Sequence, residues 1–168
     1  GDSATVGGGY SNTASGTVAT VSGGWSNTAS GYVATVGGGF GNSASGHYAT
    51  VPGGLSNTAS ALYATVAGGW QNTAGGNYSF AAGRRARAIH IGAFVWADST
   101  NSDFFSSADN MFAVRATGGY SLTSNAAGTI GAYMAPGTGS WSVMSDRAAK
   151  ENVRPVDSLD VLQKVGTL

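Results

Sequence analysis

The stretch that decides the fold is ATVSGGWSNTASGYV, residues 19–33, because the chain repeats this pattern in five consecutive units. The opening Ala-Thr-Val tripeptide recurs at a constant interval, and a Gly-Gly pair, an asparagine and a second alanine recur with it. Five units in register exclude a chance similarity, so the first part of the chain is a tandem-repeat array. The tripeptides occupy residues 4–6, 19–21, 34–36, 49–51 and 64–66.

Each unit favours strands and turns over helices. A glycine in a helix interior costs roughly 1 kcal/mol, and every unit carries a Gly-Gly pair. In Ala19-Thr20-Val21 and Thr28-Ala29-Ser30, small apolar residues alternate with hydroxyl side chains, which predicts strands with one buried face. The Gly-Gly pair and the later Ser-Gly pair are expected at turns that need a positive φ. The array therefore predicts an all-β parallel β-solenoid, or β-roll, of 15-residue coils that each rise about 4.8 Å.

Equivalent positions of successive coils form columns along such a stack. One column is an asparagine ladder expected to satisfy turn backbone groups from coil to coil. Two others are large and apolar, and the inward alanines are too small to fill a coil alone. We therefore expect two further copies of the chain to cover the large columns around a threefold axis. The asparagines are Asn12, Asn27, Asn42, Asn57 and Asn72; the first apolar column is Tyr10, Trp25, Phe40, Leu55 and Trp70, and the second is Val18, Val33, Tyr48, Tyr63 and Tyr78.

Three further columns carry candidate binding residues. In one column the residue type differs from unit to unit, while the other positions of the repeat stay nearly constant. This is the pattern expected of a surface that contacts a receptor or a glycan. The other two are outward hydroxyl columns, and regular threonine ranks of this kind are also what an ice-binding face requires. The variable column is Thr17, Tyr32, His47, Leu62 and Asn77; the hydroxyl columns are Thr5, Thr20, Thr35, Thr50 and Thr65, and Thr13, Thr28, Ser43, Thr58 and Thr73.

Charge and composition exclude several classes of protein. Eight Lys and Arg balance eight Asp and Glu among 168 residues, so the chain lacks the basic face of a nucleic-acid-binding protein. No apolar run approaches the length of a membrane-spanning helix, so we expect no membrane insertion. Without cysteine there is no disulfide or thiolate site, and the array has no aspartate in its turns for calcium. We expect no metal and no cofactor.

The distribution of charge divides the chain. No charged residue occurs between Ser3 and Gly83, whereas eight occur in residues 146–168. We predict a solenoid array over residues 1–97, a β-rich transition over 98–144 and a third segment over 145–168. In the transition, short strands between glycine-rich turns favour a β-prism-like form.

An arginine cluster interrupts the end of the array. Arg84, Arg85 and Arg87 follow the fifth unit, and two further strands are expected at residues 88–92 and 93–97. Repeated around a threefold axis, the cluster is suited to an anionic glycan or a phosphate. Equally, it is suited to a polar collar held by an aspartate, for which the sequence offers Asp98, Asp103 and Asp109.

The array resembles the heads of trimeric autotransporter adhesins over residues 3–97, in its tandem units with small residues in place of charges. The resemblance implies a left-handed parallel β-roll that trimerises and serves as a bacterial surface fibre binding host or matrix molecules. The unit of those heads is commonly one residue shorter than the unit of this chain. The extra residue is expected in the Gly-Gly turn.

A second resemblance lies in SDRAAKENVRPV, residues 145–156. This stretch is similar to the opening of the endosialidase-type intramolecular chaperone domain of phage tailspikes and tail fibres. The resemblance implies trimer assembly and self-cleavage before Ser145, with Ser145 and Lys150 performing the reaction. The alternative is that Ser145 starts a turn and Lys150 is a solvated charge. A helix is expected after Asp157, because Leu159, Leu162 and Val165 recur at near-helical spacing.

Together these features predict a trimeric structural and adhesive fibre segment, extracellular, from a phage tail fibre or a bacterial cell surface. The enzymatic alternative is the Ser145/Lys150 self-cleaving chaperone, which would serve assembly of the fibre. Ice binding through the threonine columns is the remaining alternative.

Overall fold

The computed structural model describes residues 1–144 of the chain. The expected C-terminal helix, Ser145 and Lys150 lie outside the described residues. The chain divides into two compact units, Gly1–Thr117 and a second unit that begins at Gly118. Within residues 1–144 every regular element is a β-strand.

The first unit is built from fifteen short strands. They are β1 Thr5–Val6, β2 Thr13–Ala14, β3 Thr20–Val21, β4 Thr28–Ala29, β5 Thr35–Val36, β6 Ser43–Ala44, β7 Thr50–Val51, β8 Thr58–Ala59, β9 Thr65–Trp70, β10 Thr73–Ala74, β11 Phe80–Arg84, β12 Ala86–Ala88, β13 Phe94–Ala97, β14 Phe104–Phe105 and β15 Phe112–Arg115. Odd-numbered strands form an eight-stranded parallel sheet in chain order, and even-numbered strands form a seven-stranded one. About seven parallel coils are stacked in this way, which confirms the predicted β-solenoid.

The register of the stack follows the repeat. Thr5 pairs with Thr20 and Val6 with Val21, and the same offset continues to the pair Thr50 and Thr65. Each residue of the repeat therefore lies above its equivalent in the next coil. Side chains of the same type at equivalent positions form a column along the stack.

The core is thin and follows the predicted alternation. Ala19, Val21 and Ala29 are fully buried, while Thr20 and Thr28 are half-buried. Valine is the largest apolar side chain that is fully buried in the described part of the chain. Because neither sheet buries an aromatic residue completely, most of the large apolar side chains lie outside the core.

Buried asparagines hold the turns of successive coils together. The Asn57 Nδ2 donates to the Gly53 carbonyl of its own coil at 3.1 Å and to the Gly69 carbonyl of the next at 2.9 Å. Its Oδ1 accepts from the Asn72 backbone N–H at 2.9 Å. Asn27, Asn42 and Asn72 repeat this pattern, and the last acceptor in the column, Asn72 Oδ1, bonds the N–H of Ala86. The predicted amide ladder is confirmed.

The corners correct one expectation about glycine. The second glycine of each Gly-Gly pair has a positive φ, as predicted, with 89° at Gly24. The glycine of the Ser-Gly pair does not; Gly31 is required instead because a Cβ there would collide with the Gly46 backbone of the next coil. The positive φ lies two residues later, on the second apolar column, where φ ranges from 54° to 61°. Each such non-glycine residue costs roughly 1–2 kcal/mol.

The stack loses one residue at the last Gly-Gly turn and continues past Ala97. Val66 pairs with Ala81, but Gly69 pairs with Gly83, so β11 passes this turn with one residue fewer than β9. Strands β14 and β15 then extend the two sheets to Arg115. The strand expected at residues 88–92 is wrong, because β12 ends at Ala88 and the chain turns before β13.

The described part of the second unit is a three-stranded antiparallel sheet. Its strands are β16 Tyr120–Thr123, β17 Gly131–Met134 and β18 Ser142–Met144, with β17 in the centre. Most of its side chains are exposed or half-buried, including Trp141 at the start of β18.

Candidate binding surfaces

The candidate sites among residues 1–144 are surfaces of the solenoid. Within residues 1–144, no three His, Cys, Asp or Glu side chains come together as metal ligands. The same part of the chain contains no helix long and apolar enough to cross a bilayer. The candidate sites are therefore the columns on the outside of the solenoid and the charged coils at its end.

The first apolar column is an exposed ladder of rings. Tyr10 and Trp25 lie 5.7 Å apart between ring centroids and Trp25 and Phe40 5.3 Å apart, both edge to face. The five side chains of the column are between 38% and 67% exposed. A shallow groove of about 380 Å³ lies against Tyr10 and Trp25. Single exposed apolar residues are ordinary, but a continuous exposed apolar column is a candidate interaction surface.

The second apolar column, at the positive-φ corner, ends in a stack of three tyrosines. Tyr48 and Tyr63 stack at 4.8 Å, and Tyr63 and Tyr78 at 5.5 Å. Burial raises the pKa of the Tyr48 hydroxyl, and the neighbouring Tyr32 and Tyr63 hydroxyls raise it further. The three tyrosine side chains are between 41% and 60% exposed.

The variable column is only partly a surface of its own. Thr17, Tyr32, His47 and Asn77 are exposed, whereas Leu62 is half-buried. Tyr32 contacts the ring of Tyr48 at 5.5 Å and that of His47 at 6.1 Å, so these two variable residues join the second column. Asn77 is used internally as well, because its Oδ1 accepts from the Leu62 N–H.

A third column was missed by the sequence analysis. Phe80, Phe94 and Phe112 stack at 4.7 Å and 4.9 Å with nearly parallel rings. Phe80 pairs with Thr65, so the phenylalanines continue the first threonine column. The signal was present in the 15-residue spacing from Thr65 to Phe80, but the change of residue type concealed it.

Two of the three clustered arginines form ion pairs with one aspartate. Arg85 Nε lies 2.8 Å from Asp103 Oδ1, and Arg87 Nη2 lies 3.0 Å from the same oxygen. Arg87 also donates to the Thr73 hydroxyl at 2.6 Å. The Arg85 hydrogen bond, with that of Arg87, lowers the pKa of Asp103 against the opposing effect of burial.

Asp98 is held by a different arginine. Its Oδ1 lies 3.0 Å from Arg115 Nε, and its Oδ2 accepts from both the N–H and the hydroxyl of Thr117. Burial alone would raise the pKa of Asp98, but hydrogen bonds from Thr117 and Thr100 overcome it and hold that pKa well below its usual range. Asp98 therefore stays ionised and locked in the terminal coils.

Arg84 differs from its neighbours in its partners. Its guanidinium lies 4.5 Å above the Trp70 ring, and its Nη1 donates to the Ser99 carbonyl at 2.9 Å. Arg84 is paired with no aspartate in the part of the chain that the structure describes. The sequence could not separate it from Arg85 and Arg87.

His90 stabilises a turn of the solenoid through a buried serine. His90 Nδ1 lies 2.8 Å from the hydroxyl of Ser106, whose side chain is buried. Ser106 also bonds the N–H of Ile89, so this pair fixes the turn between β12 and β13.

Comparison with known proteins leaves these surfaces as the basis for assigning a function. No protein-family model matches the chain, and no curated protein matches it at a significant level. The geometry described above therefore carries the functional argument.

Proposed function

We propose that the chain is a segment of a trimeric extracellular fibre with structural and adhesive roles, on a phage tail or a bacterial cell surface. In this proposal three copies of the solenoid, with left-handed 15-residue coils, pack side by side. Residues 145–168 act as the start of a trimerisation and chaperone domain.

The observation that carries the proposal is the continuous exposure of large apolar columns on a charge-free array. The five residues of the first column are 38–67% exposed in the single chain. Fully burying one such side chain contributes about 1.5–3 kcal/mol. Contact with further copies would therefore offset the positive-φ corners, which cost roughly 1–2 kcal/mol each.

The oligomeric state tests this proposal directly. Light scattering on the purified full chain should give about three times the chain mass of 16.6 kDa. Trp25→Asp would place a carboxylate on the first column and should shift the population toward smaller species. A monodisperse wild-type monomer would overturn the fibre proposal.

The adhesive role is proposed for the exposed variable column, which lies beside the tyrosine stack. Tyr32 and His47 offer aromatic rings and hydrogen-bonding groups on one surface. A glycan array probed with the assembled protein is the first experiment for identifying a receptor.

Self-cleavage before Ser145 by Ser145 and Lys150 is the proposed enzymatic alternative, and it would serve assembly of the fibre. A lysine can accept the hydroxyl proton of a serine when burial lowers its pKa. Mass spectrometry of a longer chain carrying Ser145→Ala beside the unmodified chain would test it.

Ice binding is a second candidate, favoured by one observation. The threonines of β1, β3, β5, β7 and β9 are in register and lie at the surface of one sheet. Outward threonine is also a good strand residue, so we prefer the fibre. A thermal hysteresis assay that returns zero would eliminate ice binding.

A further inference from the structure

The charges of residues 3–144 are confined to the end of the solenoid and do not balance one another. Four arginines and three aspartates lie between Arg84 and Arg115, and none lies elsewhere in that range. Three of the arginines are paired: Arg85 and Arg87 with Asp103, and Arg115 with Asp98. Among the described residues, Arg84 is the arginine with no carboxylate partner, whereas Arg85 and Arg87 share one carboxylate and Asp109 pairs with no arginine.

Arg84 is nevertheless held in a fixed position. The Trp70 ring lies beneath its guanidinium, and the Ser99 carbonyl accepts from its Nη1. Its Nε is buried and lacks a hydrogen-bond partner within the described chain. A guanidinium has five N–H donors, and the described residues supply an acceptor for one of those of Arg84. Because the Nε is buried, the donors open to a ligand are those of the two Nη atoms.

A groove of about 280 Å³ with a largely apolar lining opens beside the Arg84 side chain. It is lined by Gly83, Arg84, Trp96, Ala97, Asp98 and Ser99. Trp96 is 39% exposed and brings an aromatic ring to the same groove. Both oxygens of Asp98 are taken up by Arg115, Thr100 and Thr117, so this carboxylate does not neutralise Arg84.

We propose that this Arg84–Trp96 groove binds an acidic sugar, meaning a pyranose ring that carries a carboxylate. This proposal rests on the adhesive function proposed above, adds to it a second site apart from the variable column, and names the ligand class. A guanidinium forms short, charge-assisted hydrogen bonds to a carboxylate, and an aromatic ring provides an apolar surface for a sugar ring. The groove is smaller than the roughly 300–1,000 Å³ typical of pockets for drug-sized ligands, so it fits one sugar residue of a chain.

The test compares two sugars that differ only at one carbon. Titration calorimetry on the assembled full chain uses methyl glucuronide, which has a carboxylate, and methyl glucoside, which has a hydroxymethyl group instead. A charged hydrogen bond contributes about 1.5–3 kcal/mol, so the glucuronide should bind at least about ten-fold more tightly. Inorganic phosphate is the third probe, and it should bind more weakly than the glucuronide because it cannot use the ring of Trp96.

Four variants separate the contributions of the charge and of the aromatic ring. Arg84→Gln should abolish the preference for the glucuronide, and Arg84→Lys should retain part of it because the charge remains. Trp96→Ala should weaken both sugars, whereas Trp141→Ala, which removes another exposed tryptophan, should leave both unchanged. Circular dichroism on each variant checks that the β-structure is intact.

Several results would overturn the proposal. These are equal binding of both sugars, an undiminished preference in Arg84→Gln, phosphate binding as tightly as the glucuronide, or no saturable binding by a protein that light scattering shows to be a trimer. The last result leaves the fibre proposal standing. A monomer that still prefers the glucuronide would instead remove the fibre proposal and keep the site.

Discussion

The repeat coils, residues 4–78, and the terminal coils, residues 80–115, differ in the polar contacts that join each coil to the next. Both must connect each coil to the next while burying little apolar surface. The repeat coils are joined by neutral amides. For example, the side chain of Asn57 donates to the carbonyls of Gly53 and Gly69 and accepts from the N–H of Asn72. The terminal coils use ion pairs, such as Arg115 with Asp98.

The difference shows what a repeat can and cannot contain. A neutral amide with two donors and an acceptor can serve every coil, because each coil presents the same partners to its neighbour. A charge in every coil would lie one coil rise, about 4.8 Å, from its own copies and repel them. Charge is therefore usable where the periodicity ends and each residue has a distinct partner.

Asn57→Ala should have the largest effect on stability. It leaves the Gly53 carbonyl and the buried Asn72 N–H without their partners, while the Gly69 carbonyl keeps its bond from the Leu55 N–H, and each buried unsatisfied group costs about 1–3 kcal/mol. We expect the free energy of unfolding in urea to fall by at least about 2 kcal/mol.

Asn12→Ala is the matched control, because Asn12 makes the same bonds at a more exposed position in the first coil. Its loss should be clearly smaller. Equal losses at the two positions would show that burial of the ladder is not what makes it important.

Lowering the pH should reduce the stability of the terminal coils before that of the repeat coils. The folded pKa of Asp98 lies below its unfolded value near 3.9. Its contribution to stability is therefore fully present above about pH 4 and is lost as the pH falls further. The repeat coils have no acidic side chain between Ser3 and Gly83, so their stability should not follow that titration. In an NMR titration, the indole N–H signal of Trp96 should change before that of Trp25.

Asp98→Asn at neutral pH should cost about 1.5–3 kcal/mol, the value of charged hydrogen bonds, and should flatten the acid profile. Asp109→Asn is the control, because Asp109 is exposed and accepts from the Ile91 N–H. Simultaneous loss of the Trp25 and Trp96 signals would mean that the two regions unfold as one.

Arg85→Gln should have the smallest effect. The Arg85 and Asp103 side chains are about 30% exposed, and Arg87 would still hold Asp103. Partly exposed ion pairs contribute about 1 kcal/mol or less, so the urea midpoint should move little. Arg87→Gln should cost more, because it also removes the bond to Thr73. The reverse order would contradict the assignment of Arg87 as the better-connected partner.

The sequence predicted the features that depend on periodicity. The stack, the parallel register, the alternation around Ala29 and the asparagine ladder all follow from one spacing. Features that do not recur at the repeat interval could not be predicted from the sequence. Phe94 pairs with Phe112 across an interval longer than the repeat, so no repeat signal connects β13 with β15. Nothing in valine or tyrosine indicates a positive φ, and Val18 and Tyr48 adopt one because the corner requires it.

The candidate sites divide in the same way. The exposed apolar columns were predictable, because the repeat places Trp25 outside strands whose inward positions are alanine and valine. The partners of the arginines were not. Arg84 and Arg85 are adjacent, and only the fold turns one toward Asp103 and the other over Trp70.

The stacking of the coils also has a mechanical consequence. The hydrogen bonds between coils, such as that from Thr20 N–H to the Ala34 carbonyl, run along the stacking direction. Tension along that direction is carried by the inter-coil contacts in series, so the weakest contact yields first. A detached repeat coil holds 15 residues, which extend to about 50 Å against a coil rise of about 4.8 Å. Each coil that detaches under a pulling force therefore lengthens the chain by about ten times the coil rise, and the coils detach one at a time.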